Sequence, residues 1–268
     1  VANANTKGFS RQRVHAVATS PLNEQSLNRP EGAAQVGTGV IVQSIQRYRD
    51  TFIDLQYRSA LGAREESRVK RDGLEEVEVI LNENTETGLS NQVAQFFQSW
   101  QLLTNNPTEA AARSTVIQQS AVLAETFNRV SEGLTSVQTD LNNAVTSSVG
   151  SINSIIREVD ELNRQITEIE VTGQTANDPR DRRDSLLDQI SAMVPITVVD
   201  NANGAVNVSI NGHNLVSLGN VDYLVTLPTG PGGMLQVAFS SDSTLVNLSS
   251  GELKGIVETR DTYVPSYI

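Results

Sequence analysis

The chain contains no cysteine. Disulfides, thiolate metal sites and cysteine nucleophiles are therefore excluded at once. Histidine is nearly missing, with two residues in 268, and aromatic residues make up only 4%. With so few rings, a core must be built from Val, Ile, Leu and Ala, as in helical bundles. Positive charge is in deficit: 20 Lys and Arg stand against 31 Asp and Glu, a net charge of −11. Nucleic acid and anionic membrane surfaces both select basic proteins and are disfavoured as partners. No run of about 18 apolar residues occurs, so no segment reads as a transmembrane helix. No charged-then-apolar leader stands at the start of these residues either. The first residue is Val1 rather than Met, and the pattern from Tyr263 to Ile268 stops midway, which predicts a piece of a longer protein. The length allows one large domain or two ordinary ones.

The dominant feature present is a tract from Asn106 to about Val171 with helical character throughout. Asn106-Pro107-Thr108-Glu109 has a capping residue, a proline preformed for the first turn and a glutamate placed to reach back to the cap, which predicts a helix start. A first apolar face carries Val116, Ile117, Leu123, Phe127, Val130, Leu134, Val137 and Leu141. Later, Ile152, Ile155, Val159, Leu162, Ile166 and Ile169 recur every three or four residues, a seam that demands a partner helix. Asp160–Arg164 and Arg164–Glu168 stand at ion-pair spacing on its surface. Between the two faces, Asn142 to Ser154 is rich in Asn, Ser and Thr and contains Gly150, residues that weaken helices. A bend or break is expected near Gly150. Unbroken, the tract would run about 90 Å.

Around this tract the chain reads in order. Gln12–Val17 alternates like a short strand in a loop-rich opening. Gly37-Thr38-Gly39 is a turn, since neither a third glycine nor a Lys-Ser/Thr pair follows at phosphate-binding spacing. A helix is expected from about Ser44, with Ile45, Tyr48, Phe52 and Leu55 on one seam and Leu74, Val77 and Leu81 resuming it. The charges from Arg64 to Asp72 between them read as a solvated face with mutual ion pairs. After Gly88, with Ser90 as a cap, Leu89, Val93, Phe96, Trp100 and Leu103 step by three and four, with Phe97 beside them, and are expected in the core. Asp178-Pro179 opens another helix, with Leu186, Leu187, Ile190 and Met193 on its apolar side. Asp181, Asp184 and Asp188 imitate a metal site, but Arg180, Arg182 and Arg183 are interleaved, so ion pairing is the expectation.

At Pro195 the period changes to two. Ile196/Val198, Val206/Val208/Ile210, Tyr223/Val225/Leu227 and Leu235/Val237/Phe239 alternate with polar residues, and Asn203-Gly204 and Asn211-Gly212 are hairpin turns. Helical spacing returns after Gly251. The reading is an α+β, mainly α protein: an elongated long-helix bundle with a small antiparallel β-domain inserted before the returning C-terminal helix. The expected divisions are an extended N-terminal segment packing on the bundle (1–43), the bundle (44–194), the β-domain (195–250) and a return segment that begins a truncated C-terminal helix (251–268).

Asn3-Ala4-Asn5-Thr6-Lys7-Gly8-Phe9 resembles the signature that follows the N-terminal helix in axial proteins of the bacterial flagellum. Its extension Ser10-Arg11-Gln12 resembles the FlgK family of hook-associated, hook–filament junction proteins. Further blocks match that family in order: Gly39-Val40 through Arg47, Asp50, Phe52, Gln56 and Arg58; Phe96-Phe97 with Trp100; Asn106-Pro107 with Ala111 and Arg113. They continue with Asp181, Arg183, Asp184, Leu186 and Leu187, and close with Gly251-Glu252-Leu253-Lys254-Gly255 and Arg260-Asp261. Lys7 departs from the commoner Pro or Thr.

The resemblance implies a structural protein of the extracellular flagellum, exported by the flagellar type III pathway rather than by a cleaved Sec signal. It implies no catalytic, cofactor-binding or metal-binding residues. The implied partners are the hook protein, the second junction protein and copies of itself in a ring, with an export chaperone bound through a region following Ile268. The alternatives are a sibling axial protein (second junction protein, hook or rod) and, remotely, a cell-wall hydrolase. Early β-structure in rod and hook proteins argues against those siblings. Against a hydrolase stand the two histidines alone, His15 and His213, both expected in solvated segments, and the lack of Gly-x-Ser-x-Gly or His-Glu-x-x-His.

Overall fold

A computed structural model of the chain describes residues 8–20, 37–82 and 88–268. Asn3, Asn5 and Thr6 of the signature lie outside the described residues. The first elements are strands β1 (Gln12–Ala18) and β2 (Val40–Arg47), paired antiparallel with Gln12 opposite Arg47 and a bulge between His15 and Ala16. The helix expected from Ser44 therefore starts later. Val40, Ile41, Val42 and Ile45 are β-branched and extend as strand, and helix α1 runs Thr51–Leu81. Asp50 sets that start, because its Oδ1 accepts the backbone N–H groups of Phe52 at 2.9 Å and Ile53 at 3.4 Å, the N-cap geometry.

Helix α2 spans Leu89–Asn105 with Gly88 in the cap position. Asn106 does not open the next helix. Its N–H donates to the Leu102 carbonyl at 3.1 Å, which ends α2, and Glu109 N–H closes a turn onto the Asn106 carbonyl at 3.2 Å. Helix α3 then runs Ala110–Val171, 62 residues without the break expected near Gly150. Helix α4 is Asn177–Met193. Six strands follow: β3 (Thr197–Asp200), β4 (Val206–Ile210), β5 (His213–Ser217), β6 (Asn220–Val221), β7 (Leu224–Leu227) and β8 (Gln236–Phe239). They form a four-stranded meander β3-β4-β5-β6 and a separate pair β7-β8. Ile210 pairs with His213 across Asn211-Gly212, and both turn residues have positive φ. Helix α5 (Glu252–Glu258) continues through a π-helical turn, Thr259–Tyr263, into a short 3-10 turn, Val264–Tyr267.

The chain divides into two compact units. The first comprises Val1–Arg58, Ser154–Ile190 and Ile196–Asp222. Its core joins Ile156, Val159 and Ile166 of α3 with Leu186, Leu187 and Ile190 of α4, all 2% exposed or less. The meander adds Val206, Val208, Ile210 and Leu215. Each such side chain contributes about 1.5–3 kcal/mol by leaving water.

The second unit comprises Ser59–Asn153, Ser191–Pro195 and Tyr223–Ile268. Here Val77 of α1, Val130, Leu134 and Val137 of α3 and Val264 cluster together, with Ile80, Leu81 and Leu141 packed against them. Gly255 lets α5 lie against α1, since a Cβ there would sit 2.8 Å from the Glu66 carbonyl. Lys70 reinforces that contact through Glu66 and Glu258, each at 2.7 Å. Arg64, Arg68 and Arg71 form the expected exposed pairs with Glu65 and Asp72.

The aromatic stripe of α2 is not core. Phe96 meets Phe97 and Trp100 edge to face, yet Phe97 is 65% and Trp100 47% exposed. Ile117 and Phe127 of the first α3 face are exposed as well. Among the described residues no helix is long and apolar enough to cross a membrane.

Candidate assembly site

Two of the sequence blocks singled out above meet in the first unit. Ser10 is buried, and its backbone N–H donates to Asp181 Oδ2 at 3.1 Å across 171 positions of sequence. Gly8 takes a left-handed φ of 85°, and its open side faces the Ser185 Cβ, 3.3 Å from where a Cβ would stand. The signature segment thus crosses α4 at close range with no side chain between. Phe9 stays 41% exposed. Arg11 is exposed, while its carbonyl accepts the Tyr48 N–H at 2.8 Å and extends the β1–β2 pairing.

Arg47 is the fastener. Its Nε lies 2.8 Å from Asp181 Oδ1, its Nη2 donates to Ser10 Oγ at 3.2 Å, and the same nitrogen pairs with Asp184. Arg58 of α1 donates to Asp188 at 2.8 Å, and Arg49 bridges Asp54, Asp184 and Asp188. The Asp54 hydrogen bond and the surrounding carboxylates hold the Arg49 guanidinium above its ordinary value, against burial, which acts in the opposite direction. Asn177, the first residue of α4, donates to the Ile45 carbonyl on β2 at 2.8 Å.

The acidic row of α4 is therefore paired, as expected, but not with the interleaved arginines. Successive helix residues face different ways. Asp181, Asp184 and Asp188 turn toward Arg47, Arg49 and Arg58, and the arginines turn elsewhere. Arg182 reaches Glu158. Arg180 makes two hydrogen bonds to Glu170, at 2.6 and 2.7 Å. These hold the Glu170 carboxyl below the usual carboxylate range, more than burial raises it.

Arg183 is 1% exposed, and its Nη1 donates to Asn163 Oδ1 at 3.0 Å and to the Gly204 carbonyl at 2.8 Å. Burial pushes it down to about 10, so it remains charged at neutral pH. Gly204 has a φ of 84°, and a Cβ there would stand 2.2 Å from Glu170 Oε2. The Asn203-Gly204 turn is therefore both a hairpin connection and a lid over the Glu170–Arg180 pair. Leu186 and Leu187, the remaining members of that block, are core.

Sequence reasoning missed the asparagines of α3. Asn163, Asn153 and Asn142 each clasp a backbone amide of the β-structure. Asn163 serves Val206 in the first unit. In the second, Asn153 donates to the Leu224 carbonyl at 2.8 Å and accepts its N–H at 2.9 Å. Asn142 accepts Leu235 N–H and Arg260 Nη1, each at 2.9 Å, and Arg260 donates to the Leu235 carbonyl at 2.7 Å. Arg260 is fully buried and paired with Asp261. The signal was there to find: polar residues recurring at 10- or 11-residue intervals along an otherwise apolar seam.

His15 is exposed on β1, and His213, expected in solvent, lies 2.7 Å from Asp222 with its side chain 30% exposed. Among the described residues no cluster of metal-ligating side chains is present.

The chain is 40% identical over 230 residues to flagellar hook-associated protein 1 of Bacillus subtilis strain 168, covering 82% of this chain and 45% of that protein. It is 28% identical over 271 residues to the Escherichia coli K12 protein of the same name, covering 97% of this chain and 48% of the relative. The chain thus spans about half the length of the curated relatives it matches. The solved flagellar hook junction protein FlgK of Burkholderia pseudomallei superposes with a TM-score of 0.64 at 21% identity, over 77% of this chain and 39% of that one, a likeness of fold. Residues 74–268 match the model of the flagellar hook-associated protein FlgK helical domain. With nearly three quarters of its length inside that match, the chain belongs to the FlgK family of flagellar hook-associated proteins.

Proposed function

We propose that this chain is the helical-domain region of a subunit that joins the flagellar hook to the filament, acting mechanically and not as an enzyme. The observation that carries the reading is the fastening of the signature segment. Gly8-Phe9 ends the stretch that resembles the shared axial-protein signature, Ser10–Gln12 is the extension that resembles the FlgK family, and the segment is locked to α4 by Ser10, Arg47 and Asp181. A segment so held passes load from the N-terminal part of the chain into a helical body through charge-assisted bonds instead of a flexible linker. The proposed partners are the hook protein, the second junction protein and further copies in a ring. Export by the flagellar type III route, with a chaperone bound outside these residues, and an extracellular location follow from the same reading.

Deletion of the gene, with immunogold labelling of flagella in the complemented strain, tests this. The expected result is hooks without filaments in the deletion strain, and label at the hook–filament boundary after complementation. Filaments still attached in the deletion strain would overturn the proposal.

A further inference from the structure

The β1–β2 ribbon is anomalous. It has two strands only, and isolated two-stranded ribbons are marginal in water. Most residues on both faces are exposed. Val14 is 54%, Val40 70%, Ile41 54% and Val42 58% exposed. The run Val40–Gln46 carries no charge and no proline, the composition that natural sheet edges avoid unless something covers them. Its anchors to α4 lie at the Arg47 end.

The ribbon is also basic on an acidic chain. Neither Gly8–Ser20 nor Gly37–Arg49 contains an Asp or Glu, and exposed Arg11 and Arg13 stand beside Val14.

The opposite pattern occurs on the second unit. From Asp72 to Ala112 the sequence holds Asp72, Glu75, Glu76, Glu78, Glu83, Glu86 and Glu109, and no Lys or Arg. At the C-terminal end of α1 a groove of about 510 Å³ is lined by Asp72, Glu75, Glu76, Val79, Ile80 and Val137. Val79 is 77% exposed there. The groove therefore has an apolar floor and a carboxylate rim, Asp72 and Glu75 of which also pair with Arg71, where the ribbon exposes apolar side chains on both faces and the guanidiniums of Arg11 and Arg13 beside them.

We infer that the β1–β2 ribbon of one copy docks in the acidic groove at the end of α1 of a second copy. Burial of Val14 and its neighbours against Val79 and Ile80 supplies the apolar contribution. Arg11 and Arg13 facing Glu76 and Glu75, the latter shared with Arg71 of its own helix, supply orientation and rate. The contact uses two different patches, so it is heterologous and repeats from copy to copy, closing into a ring or continuing as a helix. A self-complementary contact would stop at a dimer. The inference rests on the assembly reading above and names the surfaces by which copies meet.

The lack of cysteine in these 268 residues makes the test direct. Val14→Cys and Val79→Cys are introduced singly and together into the full-length protein, and isolated flagella are treated with a short thiol cross-linker. The double variant should give a ladder of dimers, trimers and higher multiples, and each single variant monomer only. Arg11→Glu with Arg13→Glu should lower the ladder yield about tenfold, and adding Glu75→Lys with Glu76→Lys should restore it. Dimers from one single variant would mean an isologous contact and overturn the inference. So would a double variant that sits at the junction without cross-linking, as when another segment of the same chain covers either patch. A ladder insensitive to the charge reversals overturns the assigned complementarity. Absence of the protein from the junction would overturn both this contact and the assembly reading.

Discussion

Asn163 grips Val206 at both backbone atoms. Its Nδ2 donates to the Val206 carbonyl at 2.9 Å, and its Oδ1 accepts the Val206 N–H at 3.0 Å. The same oxygen accepts Arg183 Nη1, and Asn163 is 0% exposed. One amide thus joins α3, α4 and β4 of the first unit. A buried polar group is tolerated only when its partners are present, and removing one strands the others without water.

Asn163→Ala is accordingly expected to destabilise the chain by about 3–4 kcal/mol, since a backbone pair and part of a buried guanidinium lose their partner together. Urea unfolding followed by circular dichroism measures it. Asn153→Ala removes the equivalent clasp on Leu224 at a less buried site and should cost about half as much. Equal, small effects at both positions would mean that water replaces the side chain.

The long helix was legible in the sequence, but its face was displaced. Apolar spacing selects Ile152, Ile155, Val159, Leu162 and Ile166, whereas the buried line is Val145, Val149, Ile152, Ile156, Val159, Asn163 and Ile166. That line keeps a strict four–three alternation once Asn163 is admitted to it. Periodicity scored on apolar residues alone must step around a buried asparagine, and so it slips by one residue. The turn residues and β-period after Pro195 were readable because both are local. The partners of Asp181, Asp184 and Asp188 were not, because Arg47 and Arg58 lie more than 120 positions away. The strand at Val40–Arg47 was masked by apolar residues whose spacing also fits a helix.

Gly150 gives a test of opposite sign. It lies inside α3, and a Cβ there would meet nothing within 4 Å. Gly150→Ala should raise stability by about 1 kcal/mol through helix propensity alone, seen as a higher Tm. An unchanged or lower Tm would point to a functional need for backbone freedom at that position. Gly251→Ala is the contrasting control. With a φ of 97° and the Met193 carbonyl 2.5 Å from where a Cβ would stand, it should be strongly destabilising.

Acid should act through Glu170. Arg180 holds this carboxyl below its unfolded value of 4.5. A depressed folded-state value means that the unfolded chain takes up the proton first. The stabilisation is then complete above about pH 4.5 and is lost as pH falls through the lower folded value. Glu170→Gln should flatten the stability–pH curve below about pH 4.5 and shift it down at neutral pH. Urea midpoints from pH 3 to 7 report this, and parallel curves for both proteins would refute the assignment. Lys70 mirrors it at the alkaline end. Its bonds to Glu258 and Glu66 outweigh burial and raise it from 10.5 to about 12, so its contribution persists below 10.5 and fades toward 12.

The fastening of the signature segment is itself open to a double-mutant cycle. Arg47 and Asp181 have side chains only 10% exposed, and each has a further partner, Asp184 for Arg47 and the Ser10 N–H for Asp181. Arg47→Met removes the charge but keeps much of the stem, while Asp181→Asn keeps an acceptor for Ser10. Each should cost about 2–3 kcal/mol, because each leaves a poorly hydrated charge with one partner fewer. The double variant should cost clearly less than the sum, giving a coupling energy of about 1–2 kcal/mol. Hydrogen exchange separates a local from a global effect. The amides of Ser10, of β1 and of β2 should lose protection in either single variant before those of α3 do, since they depend on this anchor and α3 on its own core. Additive costs, with exchange rising equally across α3, would show that Arg47 supports the whole unit and does not specifically hold the segment that carries the axial-protein signature.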